Sequence, residues 1–521
     1  MKLGRQAANF YTLIFNAMSP KKFIIYILIV FPLLLTAHFL LVDNLVIQER
    51  RTPYSYKQFL LQSLSPLQQK VIVAAGSNAI HGIDSAELSS YFNAPAFTYA
   101  DNANYPLRSK LLNIDKFSKP GDILILPIEW FYYSVTSRLS KNYTSLLADR
   151  ELRLEFYYNN MPVIEKIRFI FRQYPLGDVI SGLLTKRSQF FMLNSEKRRL
   201  SYFKNNIESG ATAMLGNSKR NGPEDIVKFP KNNTCDSYLF SKGLLVSDEF
   251  KSNLNLLQKL NKKGLNIYFT WPAVVDYKTS ACYTKNKQNF AMFHSEIKQT
   301  VANYGFKIIG DYQDSHFTSE CFLNTYYHIK RECALPRTKK LVENLQHAGI
   351  LPYAATEKVN VKQVLLEEVN LKLQENARDL QNNIPTLVLD EVKTRQLSNY
   401  LVFTQGWGQQ EKWGLWSDGH LSRFNFKISK KQRQQKSIKI TLNGRYFNGV
   451  ENTGITINNK KYNSQPLTNA FFIVPTELIK EQMINIELKH HSIISPKELG
   501  LSSDARNLKF GLVSIKLESN Q

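Results

Sequence analysis

One long apolar run stands out near the start of the chain. Residues 23–42 contain no Asp, Glu, Lys or Arg, and only Pro32 and His38 interrupt the apolar pattern. At about 1.5 Å per residue, a helix of this length spans a bilayer core of about 30 Å. The pattern therefore predicts a transmembrane helix over residues 23–42, preceded by a short tail over residues 1–22.

The charges beside this run predict its orientation. Lys2, Arg5, Lys21 and Lys22 precede it without any acidic residue, whereas acidic residues offset the arginines that follow it. The positive-inside rule places the tail in the cytoplasm and the chain after residue 43 outside, in the periplasm or another extracytoplasmic space. A cleavable signal peptide fits less well, because the apolar run is too long and no small-residue cleavage site follows.

From residue 68 to about residue 350, short apolar runs alternate with segments of helical spacing. This alternation is typical of an α/β domain with a parallel sheet flanked by helices. Asp84 followed by Glu87 predicts the N-terminal cap of the first of these helices. The predicted strands are 71–75, 96–99, 122–128, 265–271 and 306–309, and the predicted helices are 85–92, 107–114, 248–262, 289–303 and 335–346.

Three other regions break this rhythm. Residues 131–230 are rich in aromatic and basic residues and predict an inserted helical lid, whose cations form either a solvated helix face or a contact for an anionic lipid or glycan. Residues 351–396 predict a helical linker. Over residues 397–521 the apolar period changes to two, with Asn, Gly and Pro between short runs, which predicts an antiparallel β-sandwich.

Charge and motif content narrow the class of partner. The formal net charge of +24 favours an anionic partner, such as a phospholipid surface or an acidic glycan. Nucleic acid fits poorly, because the chain is expected to face outward. The sequence contains neither a G-x-G-x-x-G nor a P-loop motif, so no cofactor is expected. No metal is expected either, because the cysteines lack the close pairs of a zinc site.

Two separated motifs carry the candidate chemistry. Ser77 follows the first predicted strand within Gly-Ser-Asn, at the carboxyl end of a parallel strand, where open sheets bind ligands. Far along the chain, the run F-L-N-T-Y-Y-H contains Asn324 and ends at His328, and Arg337 with Thr338 follows. Serine and histidine are a pairing for acyl transfer, because the imidazole can take the hydroxyl proton.

Together these motifs resemble those of the SGNH (GDSL-like) hydrolase superfamily, over about residues 68–350. The resemblance is closest to its membrane-anchored envelope branch, which includes the alginate O-acetylation proteins and the D-alanyl transfer protein of teichoic acids. It implies an SGNH-like fold, with Ser77 as nucleophile and His328 as general base. It further implies O-acylation of an envelope polysaccharide, with acetyl as the expected group and a multipass membrane partner as the source of the acyl donor.

The sequence departs from the family pattern in three places. Asn324 stands where the family has Asp, and in a serine triad that change costs about 10⁴-fold because the imidazole tautomer is wrong. The loop after the second strand lacks the family's glycine, and residues 127–130 replace the Asn of the third block. The expected oxyanion donors are the Ser77 N–H and the Asn102 side chain, with Asn104 as a fallback.

The asparagine leaves three interpretations open. The site works as a serine–histidine dyad, another carboxylate orients the histidine, or the domain binds glycan without catalysis. The carboxylates considered are Asp311, Asp314 and Glu129. An esterase would use the same residues with water as the acceptor.

Other side chains near the motifs are assigned as follows. Trp130 and Arg337 are expected to contact substrate. His81 and His316 also flank the site, but lone histidines are more often structural, so neither receives a catalytic role.

The four cysteines favour an oxidising compartment. Cys321 and Cys333 bracket Asn324 and His328, so a bridge between them would pin the candidate catalytic loop. Cys235 would then pair with Cys282.

Three tryptophans lie in the period-two region, at Trp407, Trp413 and Trp416. Together with the run from Asp504 to Leu508, they resemble sandwich modules appended to some bacterial polysaccharide-synthesis proteins, over about residues 397–517. Aromatic faces stack on sugar rings, but tryptophan in a sandwich is more often core. Two of the three are therefore expected in the core, and Asp504 with Arg506 is expected to be structural.

Overall fold

The computed structural model forms two compact units. The first is Met1–Leu184 with Phe203–Val369, and the second is Thr185–Tyr202 with Asn370–Gln521. The structure describes residues 20–42, 56–67, 69–101, 103, 105–134, 161–173, 189–217, 245–275, 284–323, 325–354, 359–387, 391–393, 397–408, 411, 413–502, 504 and 506–520.

A parallel sheet lies at the centre of the first unit, as the alternating pattern predicts. Its strand order is β2-β1-β3-β4-β6, with every neighbouring pair parallel. A short parallel pair, β5 with β7, lies outside this sheet. The strands are β1 (Val71–Val73), β2 (Ala96–Thr98), β3 (Ile123–Leu126), β4 (Asn266–Thr270), β5 (Val274–Val275), β6 (Lys307–Ile309) and β7 (His316–Phe317).

The helices follow the predicted order, and the segments predicted at 85–92 and 248–262 have those bounds. Asp84 Oδ1 accepts hydrogen bonds from the Ala86 and Glu87 N–H groups, which confirms the predicted cap. The helices are α1 (Pro20–Leu41), α2 (Tyr56–Ser63), α3 (Ser77–Gly82), α4 (Ser85–Phe92), α5 (Leu107–Phe117), α6 (Trp130–Ser134), α7 (Val163–Gln173), α8 (Gln189–Glu208), α9 (Ala211–Met214), α10 (Asp248–Lys262), α11 (Lys287–Asn303), α12 (Arg331–His347) and α13 (Val361–Asn382).

Two predicted segments are described only in part. Helices α6 to α9 fall largely within residues 131–230, and the rest of the predicted lid lies outside the described residues. Helix α1 covers most of the predicted transmembrane segment. In the described part of the chain, no helix is long and apolar enough to cross a bilayer.

A histidine lies within the aromatic core of the first unit. His294 on α11 is 3% exposed, and its ring centroid lies 4.9 Å from that of Trp130 and 4.2 Å from that of Tyr312. Neither of its ring nitrogens has a hydrogen-bond partner among the described residues. Burial lowers the pKa of His294 to about 3, because the apolar surroundings disfavour the charged imidazolium.

Replacing His294 with leucine should reduce the acid sensitivity of this unit. The unfolded chain protonates this imidazole near pH 6.5 and the folded chain only near pH 3. The free energy of unfolding therefore decreases as the pH is lowered between those values. One such group costs about 1.4 kcal/mol per pH unit, or about 2 kcal/mol by pH 5. Guanidinium denaturation of both proteins at pH 7.5 and pH 5 measures the difference, and equal losses in the two proteins would contradict it.

Two mostly antiparallel sheets form the second unit, as predicted for the C-terminal region. One has the order β10-β12-β17-β14-β15, with β8 pairing β12 in parallel, and the other has the order β11-β18-β13-β16, with β9 pairing β18. The strands are β8 (Thr386–Leu387), β9 (Glu391–Lys393), β10 (Val402–Gln405), β11 (Leu415–Asp418), β12 (Leu421–Ile428), β13 (Ser437–Tyr446), β14 (Thr453–Ile457), β15 (Lys460–Gln465), β16 (Ala470–Pro475), β17 (Met483–Lys489) and β18 (Leu508–Asn520).

One hydrophobic core joins the buried faces of these two sheets. Phe424 and Phe426 of the first sheet share it with Ile438, Ile440 and Leu512 of the second. Burial alternates along β12, which is the consequence of the period-two pattern in the sequence. Two short helices, α14 (Leu397–Tyr400) and α15 (Lys430–Arg433), lie between strands of this unit.

Candidate functional site

Ser77 occupies a tight turn between β1 and α3. It is the first residue of α3, and Gly76 precedes it as the N-cap residue. A Cβ atom on Gly76 would lie 2.6 Å from both Ala103 Cα and Glu129 Oε1, so a larger residue does not fit here. The loop after β2, which carries Ala103, therefore packs directly against the serine turn. Asn102 and Asn104, the expected oxyanion side chains in that loop, lie outside the described residues.

A buried carboxylate holds this turn from beneath. Glu129 is 0% exposed, and its two oxygens accept hydrogen bonds from Gly76 N–H at 2.9 Å and Asn78 N–H at 2.8 Å. Burial raises the pKa of the Glu129 carboxyl, while these two N–H donors and the charge of Lys110 act in the opposite direction. Each carboxylate oxygen thus accepts from one backbone N–H group, and the two groups belong to the residues before and after Ser77.

Asn78 connects the same turn to the late part of the chain. Its side-chain amide donates to Pro127 O, and its oxygen accepts from Ala273 N–H and from Arg337 Nη1. Arg337 also donates to Gly82 O and to Trp271 O. Burial lowers the pKa of Arg337 to about 9, and the negative charge of Glu129 partly offsets this shift. The result is a continuous hydrogen-bonded frame under the Ser77 turn.

The burial of two residues corrects their expected role as substrate contacts. Trp130 is 0% exposed and packs against Trp271 and His294, while Arg337 is 4% exposed and donates to protein groups at 2.8–3.1 Å. A side chain buried this deeply cannot contact a ligand without rearrangement. Both residues therefore support the site from within.

His328 lies on a short loop that a disulfide closes. Cys321 and Cys333 are bonded, with their Cα atoms 5.9 Å apart, which confirms the predicted bridge. Within the loop, Leu323 N–H donates to His328 O and Lys330 N–H donates to Cys321 O. Asn324, Cys235 and Cys282 lie outside the described residues, so the predicted Cys235–Cys282 bridge stays a prediction.

A second histidine joins His328 in the site. The rings of His81 and His328 stack, with centroids 4.2 Å apart and planes 25° from parallel. His81 lies four residues after Ser77 on α3, and residues with this spacing share one helix face. The stack therefore brings the His328 loop against the face of α3 that begins with Ser77. Both imidazoles are half-buried, so solvent still reaches them.

The sequence assignment omitted His81 because single histidines are more often structural. The signal that could have found it was its four-residue spacing from the candidate nucleophile on a predicted helix. His316, the other omitted histidine, packs edge-on against Tyr312 next to the buried aromatic core of the first unit.

The three carboxylates considered for orienting His328 have other partners. Asp311 caps a short 3₁₀ turn by accepting from Gln313 N–H, and it lies 3.5 Å from Lys298 Nζ. Asp314 accepts from Asp311 N–H and from Asn344 Nδ2. Since Glu129 is bonded to the serine turn, all three stabilise local structure.

A buried ion pair fixes the start of the loop that follows β2. Lys110 Nζ lies 2.8 Å from Asp101 Oδ1, with the two side chains 1% and 12% exposed. Lys110 also donates to the Tyr132 hydroxyl, which donates to Tyr105 O. These contacts tie the loop to α5 and α6 on either side of Asn102. Among the described residues, no group of three His, Cys, Asp or Glu side chains is placed to hold a metal ion.

The three tryptophans of the second unit differ from one another in environment. Trp407 packs against the shared core, whereas Trp413 and Trp416 are half-buried and pack edge-on against each other at 4.7 Å. The Arg445 guanidinium lies 3.3 Å from the Trp413 ring centroid. One of the three, rather than the expected two, contributes to that core.

The expected structural role of Asp504 and Arg506 is confirmed. Arg506 Nε and Nη2 donate to Asp504, and Arg506 Nη2 also lies 3.4 Å from Glu411 Oε1. The hydrogen bonds from Arg506 hold the pKa of Asp504 below its usual range. Glu411 in turn accepts from Trp413 Nε1, which links this pair to the half-buried Trp413 and Trp416.

Comparison of the chain with protein-family models and with curated proteins gives no match, so its own geometry carries the interpretation of the site.

Proposed function

We propose that this chain is a membrane-anchored O-acyltransferase that acts on an extracytoplasmic polysaccharide through an acyl-serine at Ser77. The observation that carries this proposal is the stacking of His328 on His81, four residues after Ser77 on the same helix. It supports a nucleophile and a base on one accessible surface at the end of a parallel strand. Acetyl is the expected acyl group, as the SGNH-like motifs imply.

The chemistry follows from what the two side chains can do. His328 takes the Ser77 hydroxyl proton as the oxygen attacks the acyl carbonyl, and an acyl-serine forms as the donor's leaving group departs with that proton from His328. A sugar hydroxyl then gives its proton to His328 and attacks the ester, so that the acyl group passes to the sugar oxygen and the serine oxygen leaves and regains a proton from His328. Transfer to water instead would make the protein an esterase with the same residues.

The backbone of the serine turn offers one oxyanion donor. Glu129 takes the N–H groups of Gly76 and Asn78, and within the described residues the Ser77 N–H has no acceptor. A free N–H at this point can stabilise the negative charge that develops on the carbonyl oxygen. The Asn102 side chain remains the proposed second donor.

Membrane anchoring through residues 23–42 belongs to the same proposal. Several apolar side chains of α1 are strongly exposed, including Leu28 at 67%, Leu33 at 63% and Leu34 at 62%. A lipid environment would remove that apolar surface from water. The Cys321–Cys333 bridge supports an oxidising location for the rest of the chain. The acyl donor would then reach the site from a multipass membrane partner.

A binding protein without catalysis is the second candidate, because Asn324 replaces the aspartate of a serine triad. The half-buried Trp413 and Trp416 would give such a protein an aromatic surface in its C-terminal β-sandwich. This candidate needs no activated serine, so nucleophilicity at Ser77 separates the two functions.

Covalent trapping tests the proposal directly. A fluorophosphonate should label Ser77 of the full chain, because the activated oxygen bonds to phosphorus and fluoride leaves. Peptide mass spectrometry locates the adduct, and His328→Ala should slow labelling at least tenfold. Ser134→Ala is the matched control, since among the described residues that hydroxyl hydrogen-bonds to Trp130 O within its own helix. Absence of label at Ser77 would favour the binding protein.

A further inference from the structure

Helix α7 carries apolar side chains toward solvent on one face. Val163 is 67% exposed, Ile164 60% and Phe171 37%, and Ile167 between them is half-buried. At about 100° per residue these four positions fall within an arc of about 100°. A continuous exposed apolar stripe of this width is unusual for a helix surrounded by water.

Two buried side chains hold α7 to the protein. Phe169 and Ile170 are both 0% exposed; the Phe169 position lies opposite the apolar arc, and the Ile170 position lies beside its Val163 edge. Arg168 and Arg172 are exposed, and both positions lie beyond the Ile164 edge of the apolar arc, Arg168 next to it and Arg172 one step further round the helix. An apolar face with arginines along one side is a pattern of helices that lie in the boundary between lipid headgroups and acyl chains.

The same helix meets α1 near its C-terminal end. The Phe171 ring lies 4.8 Å from the His38 ring, centroid to centroid. Leu40 and Leu41, at the end of α1, are 49% and 38% exposed. The exposed apolar side chains of α7 therefore lie beside the segment where the proposed anchor would leave the bilayer.

We propose that α7 is an interfacial helix that lies on the extracytoplasmic leaflet, with Val163, Ile164 and Phe171 among the acyl chains and Arg168 and Arg172 on anionic phospholipid headgroups. The charge of these arginines is complementary to such headgroups, and so is the net charge of +24. This inference rests on the proposed membrane anchor. Two adjacent attachments would fix the orientation of the first unit on the membrane, which a single attachment would leave free.

Photo-crosslinking of the full chain in lipid nanodiscs tests this arrangement. A diazirine amino acid replaces Ile164, Leu34 of α1 or, as the matched control, Leu351, which is 74% exposed in the same unit. In discs of phosphatidylglycerol and phosphatidylcholine, we expect lipid adducts at positions 34 and 164, with at least tenfold less at position 351. The double variant Arg168→Glu, Arg172→Glu should reduce adducts at position 164 several-fold and leave those at position 34 unchanged.

The outcomes separate this inference from the anchor on which it rests. Adducts at position 34 with only background at position 164 would overturn the interfacial helix and keep the anchor. Background at both positions would overturn both. Protein adducts in place of lipid adducts at position 164 would assign the stripe to a second copy of the chain. Equal yields of lipid adduct at position 164 in discs of phosphatidylcholine alone and in the mixed discs would exclude the role of anionic headgroups.

Discussion

Replacing Ser77 with alanine should abolish acylation of the envelope polysaccharide while the chain stays folded. The hydroxyl oxygen is the atom that would carry the acyl group, so alanine at this position removes the proposed nucleophile. A loss of at least 10³-fold in transfer is expected. The stability cost should stay within about 1 kcal/mol, because within the described residues this half-buried hydroxyl makes no hydrogen bond.

The readout is the acetate that mild base releases from the polysaccharide of cells carrying each variant. Ser134→Ala, with parent-level acetate, controls for loss of a half-buried hydroxyl in the same unit. Asn324→Asp should match or exceed the parent, because a carboxylate favours the productive imidazole tautomer. Full acetylation in the Ser77→Ala strain would remove the serine from the mechanism.

Glu129→Gln should damage the site and the fold together. A glutamine offers one acceptor oxygen, so one of the Gly76 and Asn78 N–H groups would face an NH₂ group instead. Leaving one buried N–H without an acceptor costs about 2–3 kcal/mol. The turn that holds Ser77 would shift, and small displacements of a nucleophile cost about 10²-fold in rate.

Two measurements on the full chain check this outcome: guanidinium denaturation, and the rate at which a fluorophosphonate labels Ser77. Glu332→Gln is the matched control, because that carboxylate is 73% exposed and its ion pair with Lys330 Nζ is long, at 3.7 Å. Parent-like stability and labelling in Glu129→Gln would show that the carboxylate does not hold the turn.

Much of the first unit could be predicted from the sequence, because its strands and helices have strong periodicity. The apolar runs of β1 and β3 stand between polar segments, and Asp84 marks a helix start by its side-chain chemistry. Which residues are buried was harder to predict. Arg337 is a charged residue on a helix, and only the folded chain brings Asn78, Gly82 and Trp271 around it.

The same limit applies to Glu129 and His81. Sequence reasoning treated Glu129 as a possible partner of His328, because a carboxylate near a histidine is a common arrangement. Its true partners are backbone N–H groups about fifty positions earlier, which no local pattern reveals. The sequence contains His81 but does not reveal its contact with His328, because that contact depends on a loop far along the chain.

The Cys321–Cys333 disulfide should make the stability of the His328 loop depend on the redox state of the compartment. Closing a loop of this size contributes on the order of 3 kcal/mol, chiefly by restricting the unfolded chain. In a reducing cytosol that restraint is absent, and the loop that carries His328, the proposed base, depends on its own hydrogen bonds and on the packing of Phe322 and Ile329. Export and oxidation would therefore act as the last step of maturation. Under the proposed function, a newly made chain would reach full acyl-transfer activity only after export, in the compartment of its proposed polysaccharide.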